Sequence, residues 1–537
     1  MKQEDIRSLL TWSASRHAGK PALSMGEAAP ISYGRLERLA KGAAARFAAM
    51  GLRRGDRVLI VSENRPEWGI AYLGATCAGL VAVPLLVDFS DEQLANIAAH
   101  SGAALCASSE RHAGRLKIEG LPRVAIEELS EPGAEADSWP EALPAPLPED
   151  MAAIIYTSGT TGSSKGVCLS HRNLVANCRA TRSVIRLGPR DRLLSILPLA
   201  HTYECTIGFL TPLMQGAFVS YFEKPPTPAN LMRALASIRP SVMLSVPLVM
   251  EKIYRGTVRP QLERRALYAK PLGRALLSRI AGMKLKKSFG GRIRFFGIGG
   301  AALAPDVEAF LLAARFPYAI GYGLTETSPL IAGAAVGKTM LGSTGPALPG
   351  VEVRLAPVEG APEGVGELEV RGPNVMMGYY RDPERIADAF SADGWLKTGD
   401  LCRMDARGRI SVRGRVKTMI LNASGENVYP EEIEALLNQE EIVGESLVFD
   451  REGRIEALVY LKPDIAETIL AGIGQGLAEA EDKARALLEG LRKKVNARLA
   501  AFSRIGAIGL QREPFAKTPT QKIKRFLYPA RARESEG

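Results

Sequence analysis

The stretch that decides the fold is AIIYTSGTTGSSKGVCLSHRNL, Ala153–Leu174. It opens as an apolar strand over Ala153–Tyr156, becomes a run of Thr, Ser and Gly from Thr157 to Ser164, and closes on Lys165-Gly166. A strand that empties into a hydroxyl- and glycine-rich loop ending in one lysine suits a phosphate group. Gly159, Gly162 and Gly166 let backbone amides turn inward, the hydroxyls donate hydrogen bonds, and the lysine adds charge. This is not the Walker loop, in which Gly-Lys precedes Ser or Thr, because the order here is Lys165-Gly166. A flexible Gly/Ser linker is the plain alternative, and the buried-type strand directly in front argues against it.

Outward from this loop the chain alternates in period. Toward the N-terminus, Tyr33–Met50 has helical periodicity, Arg57–Val61 reads as a short apolar strand, Glu67–Gly79 as a helix and Val81–Val87 as a strand. Toward the C-terminus, Arg192–Pro198, Ala217–Phe222, Val242–Val246 and Ile293–Gly297 continue the strand series. Such alternation predicts layered α/β structure. Glu119–Asp150, rich in Pro, Glu and Ala, reads as a surface connection. From Gly364 the segments GVGELEVRG and GWLKTGDLCRMDARGRISVRGR carry short alternating strands with Gly turns, which predicts antiparallel β structure. Past Arg415 a compact α+β unit is expected. Its helices are Pro430–Gln439, with an acidic first turn, and Ala478–Ala500; its strands include Leu447–Phe449 and Ala457–Leu461. The expected organisation is a large N-terminal domain over 1–416, of layered α/β subdomains plus a β-rich subdomain. A small mobile α+β domain follows over 417–537.

Composition limits what the chain can be. With 537 residues it is too long for one core. Its six cysteines show no paired or CxxC spacing and it has five scattered histidines, which fits a reducing, cytoplasmic setting without structural zinc. MKQEDIRSLLTW has no long apolar core, so no signal peptide is expected. Ala71–Val87 is uncharged, but Gly74, Gly79 and Pro84 interrupt it, so a buried helix and strand are expected in place of a membrane span. The net charge is +11, and residues 251–294 alone hold thirteen Lys and Arg against Glu251 and Glu263. Leu272, Leu276, Ile280 and Met283 recur there at helical spacing. Two readings stand for this segment: a solvated helix face, or a basic amphipathic helix in peripheral contact with an anionic membrane, on its inner face. Nucleic acid is not expected, since no recognised binding motif accompanies the charge.

Six segments, in order, resemble the adenylate-forming (AMP-binding) superfamily in its long-chain fatty acyl-CoA synthetase branch. After YTSGTTGSSKG come IGGAAL (Ile298–Leu303), GYGLTET (Gly321–Thr327), GWLKTGD (Gly394–Asp400), GRVKTMI (Gly414–Ile420) and KTPTQKIKR (Lys517–Arg525). The resemblance implies that Thr157, Ser158, Gly159, Thr160, Thr161, Gly162 and Lys165 hold the ATP phosphates. It implies that Gly300 and Ala301 line the adenine face with Tyr322 stacked on it. Thr325 would touch the α-phosphate, Glu326 would reach Mg²⁺, and Asp400 and Arg415 would bind the ribose. Lys522 would bridge the substrate carboxylate and the α-phosphate. Gln521 departs from the Gly that many relatives have before this lysine, in the manner of the long-chain branch. Lys417 would be the hinge, and Gly425 and Glu426 of SGENVYP would serve the coenzyme A half.

The implied chemistry explains the residue types. A carboxylate is a poor acylating agent, and attack on the α-phosphate of ATP makes an acyl-adenylate and pyrophosphate. Two anions must approach while charge builds on phosphorus, so lysines, a metal ion and oriented amides are required. A thiol then displaces AMP. LPLAHTYE (Leu197–Glu204) resembles the long-chain enzymes, with His201 near the acyl entrance, and lacks the aspartate by which amino-acid-activating relatives hold an amine. The expected activity is that of a medium- to long-chain fatty acid–CoA ligase using ATP, Mg²⁺ and coenzyme A. Two alternatives stand beside it: a relative handing the acyl group to an acidic carrier protein, and a non-catalytic lipid-binding protein on the same fold.

Overall fold

The computed structural model describes residues 4–115, 118, 120–157, 165–222, 227–421, 427–451, 454–463, 465, 477–518 and 522–528. They fall into two compact units. The first takes its residues from 4–157, 165–352 and 370–396, the second from 353–369 and 397–528.

Two sheets build the first unit. One runs, edge to edge, Gly378–Tyr379, Lys165–Ser170, Met151–Thr157, Val81–Leu85, Arg57–Val61, Leu105–Ser108 and Arg123–Ala125. Its strands from Met151–Thr157 to Arg123–Ala125 are parallel, and the first two pair antiparallel. The other runs Leu330–Gly333, Tyr318–Gly323, Phe295–Ile298, Val242–Ser245, Arg192–Ser195, Phe218–Tyr221, Pro21–Met25 and Ile31–Ser32, parallel except at its two edges. Val58–Val61 and Val81–Leu85 are buried along their whole length, which is why they read as unbroken apolar runs.

The helices follow the same logic. Ser32 caps Tyr33–Ala49 by accepting from the Arg35 amide, and Leu36, Leu39, Ala43 and Phe47 line its buried stripe. Pro66–Cys77 starts on a proline and is buried at every residue but Glu67. The two helices approach so closely that a Cβ on Gly74 would lie 2.6 Å from that of Ala43. No described helix is long and apolar enough to cross a membrane. The connection expected over Glu119–Asp150 is more ordered than its composition suggests. Arg123–Ala125 adds an edge strand, and Ile126 and Leu129 are buried in the turn that follows.

In the second unit, strands Glu352–Ala356, Val365–Arg371, Leu396–Met404 and Arg409–Arg415 lie side by side in that order. A smaller sheet joins Val443–Arg451, Arg454–Leu461 and Ala507–Gln511. Helices Pro430–Leu437 and Leu477–Asn496 contribute Ile433, Leu437, Leu488, Leu491 and Val495 to the core beside this sheet.

Candidate active site

Strand Met151–Thr157 pairs antiparallel with Lys165–Ser170, so Thr157 and Lys165 face each other in register. Ser158, Gly159, Thr160, Thr161 and Gly162 lie outside the described residues. The Lys165 ammonium donates to Glu326 Oε1 at 2.5 Å and to the Tyr379 hydroxyl at 2.9 Å. The Tyr379 hydroxyl in turn donates to the same Glu326 oxygen at 2.9 Å, and Lys165 stands 4.6 Å from the centre of the Tyr379 ring. Tyr379 reaches this place on the edge strand Gly378–Tyr379, where it pairs with Val167. The Glu326 side chain is 12% exposed. Burial pushes its carboxyl up, but the Lys165 charge and hydrogen bond hold it below the ordinary carboxylate range.

Thr325 and Glu326 ride on a single 3₁₀ turn, Thr325–Thr327, directly after strand Tyr318–Gly323. The turn is fastened from several sides. The Thr327 hydroxyl bonds the Leu324 and Pro329 carbonyls. Asn177 and Asn374 each donate from a side-chain amide to the Thr327 and Leu330 carbonyls. Asn177 is delivered by helix His171–Thr181, which Ser170 and Asn173 start with a reciprocal capping box. Gly323 has to be glycine, since a Cβ there would fall 1.9 Å from the Pro329 carbonyl oxygen. Tyr322 is half-buried, whereas Gly300 and Ala301 are exposed in the turn after strand Phe295–Ile298, Gly300 with a left-handed φ of 87°.

His201 sits two residues ahead of a π-helix, Tyr203–Leu210, a form that widens the backbone and is frequent at functional sites. The Tyr203 side chain lies against Gly297 and Gly299, where added Cβ atoms would meet it at 3.2 Å. Asn64 holds the preceding loop by donating to the Leu197 carbonyl and accepting from the Leu199 amide. Beneath it Glu204 is 1% exposed, and its Oε2 finds no hydrogen-bond partner among the described residues. Burial pushes this carboxyl up to about 8, against a lowering hydrogen bond with Ser195. Gly208 leaves the room that the carboxylate fills.

In the second unit, Asp400 and Arg415 face each other in register on adjacent antiparallel strands, and the guanidinium meets the carboxylate at 2.8 Å. Lys417 is exposed in the 3₁₀ turn Val416–Thr418. Lys522 returns its carbonyl to the Thr518 amide at 2.8 Å and donates its own amide to the Thr518 hydroxyl at 3.2 Å. Lys517 pairs with Ile523 and binds Glu445, while Phe515 and Tyr528 stack edge to face in a small core with Leu447. Arg525 bonds the Val448 carbonyl and the Glu434 carboxylate, at 3.2 and 2.6 Å. Gly425 and Glu426 lie outside the described residues.

Residues 10–380 match the AMP-binding enzyme family, well over half of the chain. The chain belongs to that family. Among curated relatives of this AMP-binding enzyme is the peroxisomal long chain acyl-CoA synthetase 6 of Arabidopsis thaliana, 30% identical over 88% of this chain and 76% of the relative. The long-chain-fatty-acid–CoA ligase FadD15 of Mycobacterium bovis is 31% identical over 90% of this chain and 88% of its own. ATP-bound MatB from Rhodopseudomonas palustris is 25% identical and superposes with a TM-score of 0.78, over 99% of this chain and all of that one.

Four residues of this AMP-binding enzyme escaped the motif reading: Tyr379, Asn177, Asn374 and Asn64. Each acts by holding another group, and none stands in one of the motifs that the sequence reading used. Glu326 is suited to Mg²⁺, because a buried, ionised carboxylate is a hard oxygen donor. Among the described residues no three His, Cys, Asp or Glu gather as a metal cluster. An ion shared with substrate phosphates needs only one or two carboxylates from the protein.

Proposed function

We propose that this AMP-binding enzyme is a fatty acid–CoA ligase that activates a medium- to long-chain acid through an acyl-adenylate. In the first half a carboxylate oxygen attacks the α-phosphorus of ATP, the bond to the bridging oxygen breaks, and pyrophosphate leaves. In the second half the coenzyme A thiolate attacks the acyl carbonyl and AMP departs with the C–O bond pair. Lys165 meets the β- and γ-phosphates together with Thr157 and the residues 158–162. Thr325 donates to the α-phosphate. Gly300, Ala301 and Tyr322 take the adenine, Asp400 and Arg415 the ribose. Lys522 neutralises the acid and the α-phosphate as they approach. Glu326 would hold Mg²⁺, which supplies charge neutralisation at the phosphates when bound. His201 marks the acyl entrance. Rotation of the segment after Lys417 presents Lys522 for the first half and Gly425 and Glu426 for the second.

The single observation that carries this reading is the Lys165–Glu326–Tyr379 cluster. It brings Lys165 and Glu326 together across 161 positions of sequence. Support for the acid class comes from relatives named for long-chain fatty acids. A long-chain acid partitions into bilayers, so peripheral contact of residues 251–294 with an anionic membrane, from the cytoplasmic side, belongs to the same reading. The deciding experiment is ATP–pyrophosphate exchange with a panel of acids, on the wild type and on Lys522→Ala. Exchange driven by medium and long chains, lost in the variant while thioester synthesis from supplied acyl-AMP persists, is the expected result. Equal loss of both halves, or exchange driven only by amino acids, sinks the reading.

A further inference from the structure

Helix Pro271–Ser288 presents apolar residues on two opposite sides. Its inner side buries Leu277 and Leu285 and sits so close to the rest of the unit that a Cβ on Gly282 would fall 2.3 Å from the Ala314 carbonyl oxygen. The helical spacing expected of Leu272, Leu276, Ile280 and Met283 divides between the two sides. Ile280 packs half-buried against the core, whereas Leu272, Leu276 and Met283 are 89%, 54% and 65% exposed. At about 100° per residue these three point within roughly 40° of one another, as a stripe about 16 Å long. Arg279, Lys286 and Lys287 lie exposed on the same side. Leu267, in the turn before the helix, is 48% exposed as well. From Arg264 to Pro305 the chain has no Asp or Glu.

A merely solvated basic face has no use for a row of uncovered leucines, and contiguous exposed apolar side chains call for a cover. We propose that this outward face docks on the surface of an anionic lipid bilayer. Leu272, Leu276 and Met283 enter the headgroup–acyl boundary, and Arg279, Lys286 and Lys287 meet lipid phosphates. The proposal deepens, and rests on, the reading of a bilayer-partitioned acid as substrate. The choice of lipid over protein follows from charge. Protein interfaces set register with both signs of charge, whereas an apolar stripe flanked by Arg279, Lys286 and Lys287, on a segment without acids, matches a continuous negative surface.

The test is vesicle co-sedimentation of the full chain, with phosphatidylcholine vesicles that contain or lack phosphatidylglycerol, at low and high salt. Two triple variants accompany the wild type: Leu272→Ser/Leu276→Ser/Met283→Ser and Arg279→Glu/Lys286→Glu/Lys287→Glu. All six side chains point outward, so melting temperatures should stay near wild type. The wild type should be retained by the anionic vesicles and released by salt. The charge variant should lose retention, and the apolar variant should bind at least about tenfold more weakly. Wild-type protein that stays in solution at low salt overturns the proposal. So does an apolar variant that binds like wild type, equal binding to neutral vesicles, or capture by an acidic carrier protein in place of lipid. Pyrophosphate exchange with a soluble medium-chain acid such as octanoate, without vesicles, separates the two readings. If exchange is absent while vesicle binding holds, the ligase assignment falls and the docking face stands.

Discussion

A single oxygen, Glu326 Oε1, takes hydrogen bonds from both Lys165 and Tyr379. If Glu326 takes a metal and Lys165 a phosphate, the carboxylate has to share itself and the lysine has to turn toward its ligand. Tyr379 sits between them as the fixed point, touching both partners. Tyr379→Phe keeps the ring and its cation–π contact but removes the shared hydroxyl. A hydrogen bond to a charged group contributes about 1.5–3 kcal/mol, so kcat/KM should fall roughly tenfold or more. The loss should appear chiefly in the ATP and Mg²⁺ dependence, with the KM for the acid little changed. Steady-state titration of each substrate and of Mg²⁺ checks this, and a uniform fall in all three would assign Tyr379 a purely structural role. Glu204 makes a different prediction. Unfolded, it ionises near the usual ~4.3 for a glutamate; folded, burial raises it to about 8. Between those values the unfolded chain holds fewer protons, so stability falls with rising pH, by at most about 1.4 kcal/mol per unit. The loss is complete above the folded value. Glu204→Gln cannot ionise and should gain on wild type between about pH 5 and about pH 8 in urea unfolding. A constant gap across that window would show that Glu204 is already charged in the fold. Lys165 and Glu326 could be named from the sequence because each stands in a glycine-bearing motif that resembles the family; their bond to each other could not. Tyr379 and Glu204 could not be named, because only folding brings one to a lysine 214 positions away and buries the other.

The elements were largely legible, since a period of two or of 3.6 is written directly in the apolar residues. Arg57–Val61 forms over the residues expected, and Val81–Leu85 and Leu477–Asn496 differ from expectation only at their ends. Two elements were not legible, for separate reasons. Arg123–Ala125 is too short to show a period and exists because Leu105–Ser108 offers it an edge. The π-turn at Tyr203–Leu210 follows a packed helix pattern, and its extra residue per turn is set by tertiary contacts such as those of Tyr203 and Glu204. The segment that carries Lys522 was legible as a family motif in a basic tail, but the contacts that hold it were not. Arg525 ties this segment to the Val448 carbonyl and to Glu434 of helix Pro430–Leu437. Arg525→Ala should therefore loosen Lys522 without touching any reacting group. The adenylation rate should drop about tenfold while thioester synthesis from supplied acyl-AMP changes little, and Arg525→Lys should recover only part of the loss, because an ammonium cannot span both acceptors as the guanidinium fork does. Hydrogen exchange at residues 515–528 supplies the independent readout. Unaltered protection in the alanine variant would remove Arg525 from this role.

At the scale of the whole molecule, the residues assigned to one reaction are divided between two compact units. Lys165, Thr325, Glu326 and His201 belong to the first, and Asp400, Arg415, Lys417 and Lys522 to the second. A reaction in two chemically unlike halves can use such a division, because one unit can offer different groups to the same substrate. If rotation at Lys417 serves that exchange, its backbone dihedrals have to change between halves, and fixing one of them should separate the halves. Proline locks φ near −65° and removes no buried side chain at this exposed position. Lys417→Pro is expected to spare one half reaction and to slow the other by about tenfold or more, the mark of a gating step. Lys417→Ala should leave both intact, which separates backbone from side chain. The two halves are followed as pyrophosphate exchange and as thioester formation from supplied acyl-AMP, on protein whose thermal unfolding matches wild type. Should the proline variant run both halves at wild-type rates, the rotation takes place at some other residue. Should it lose both equally, the turn Val416–Thr418 carries structure and not motion.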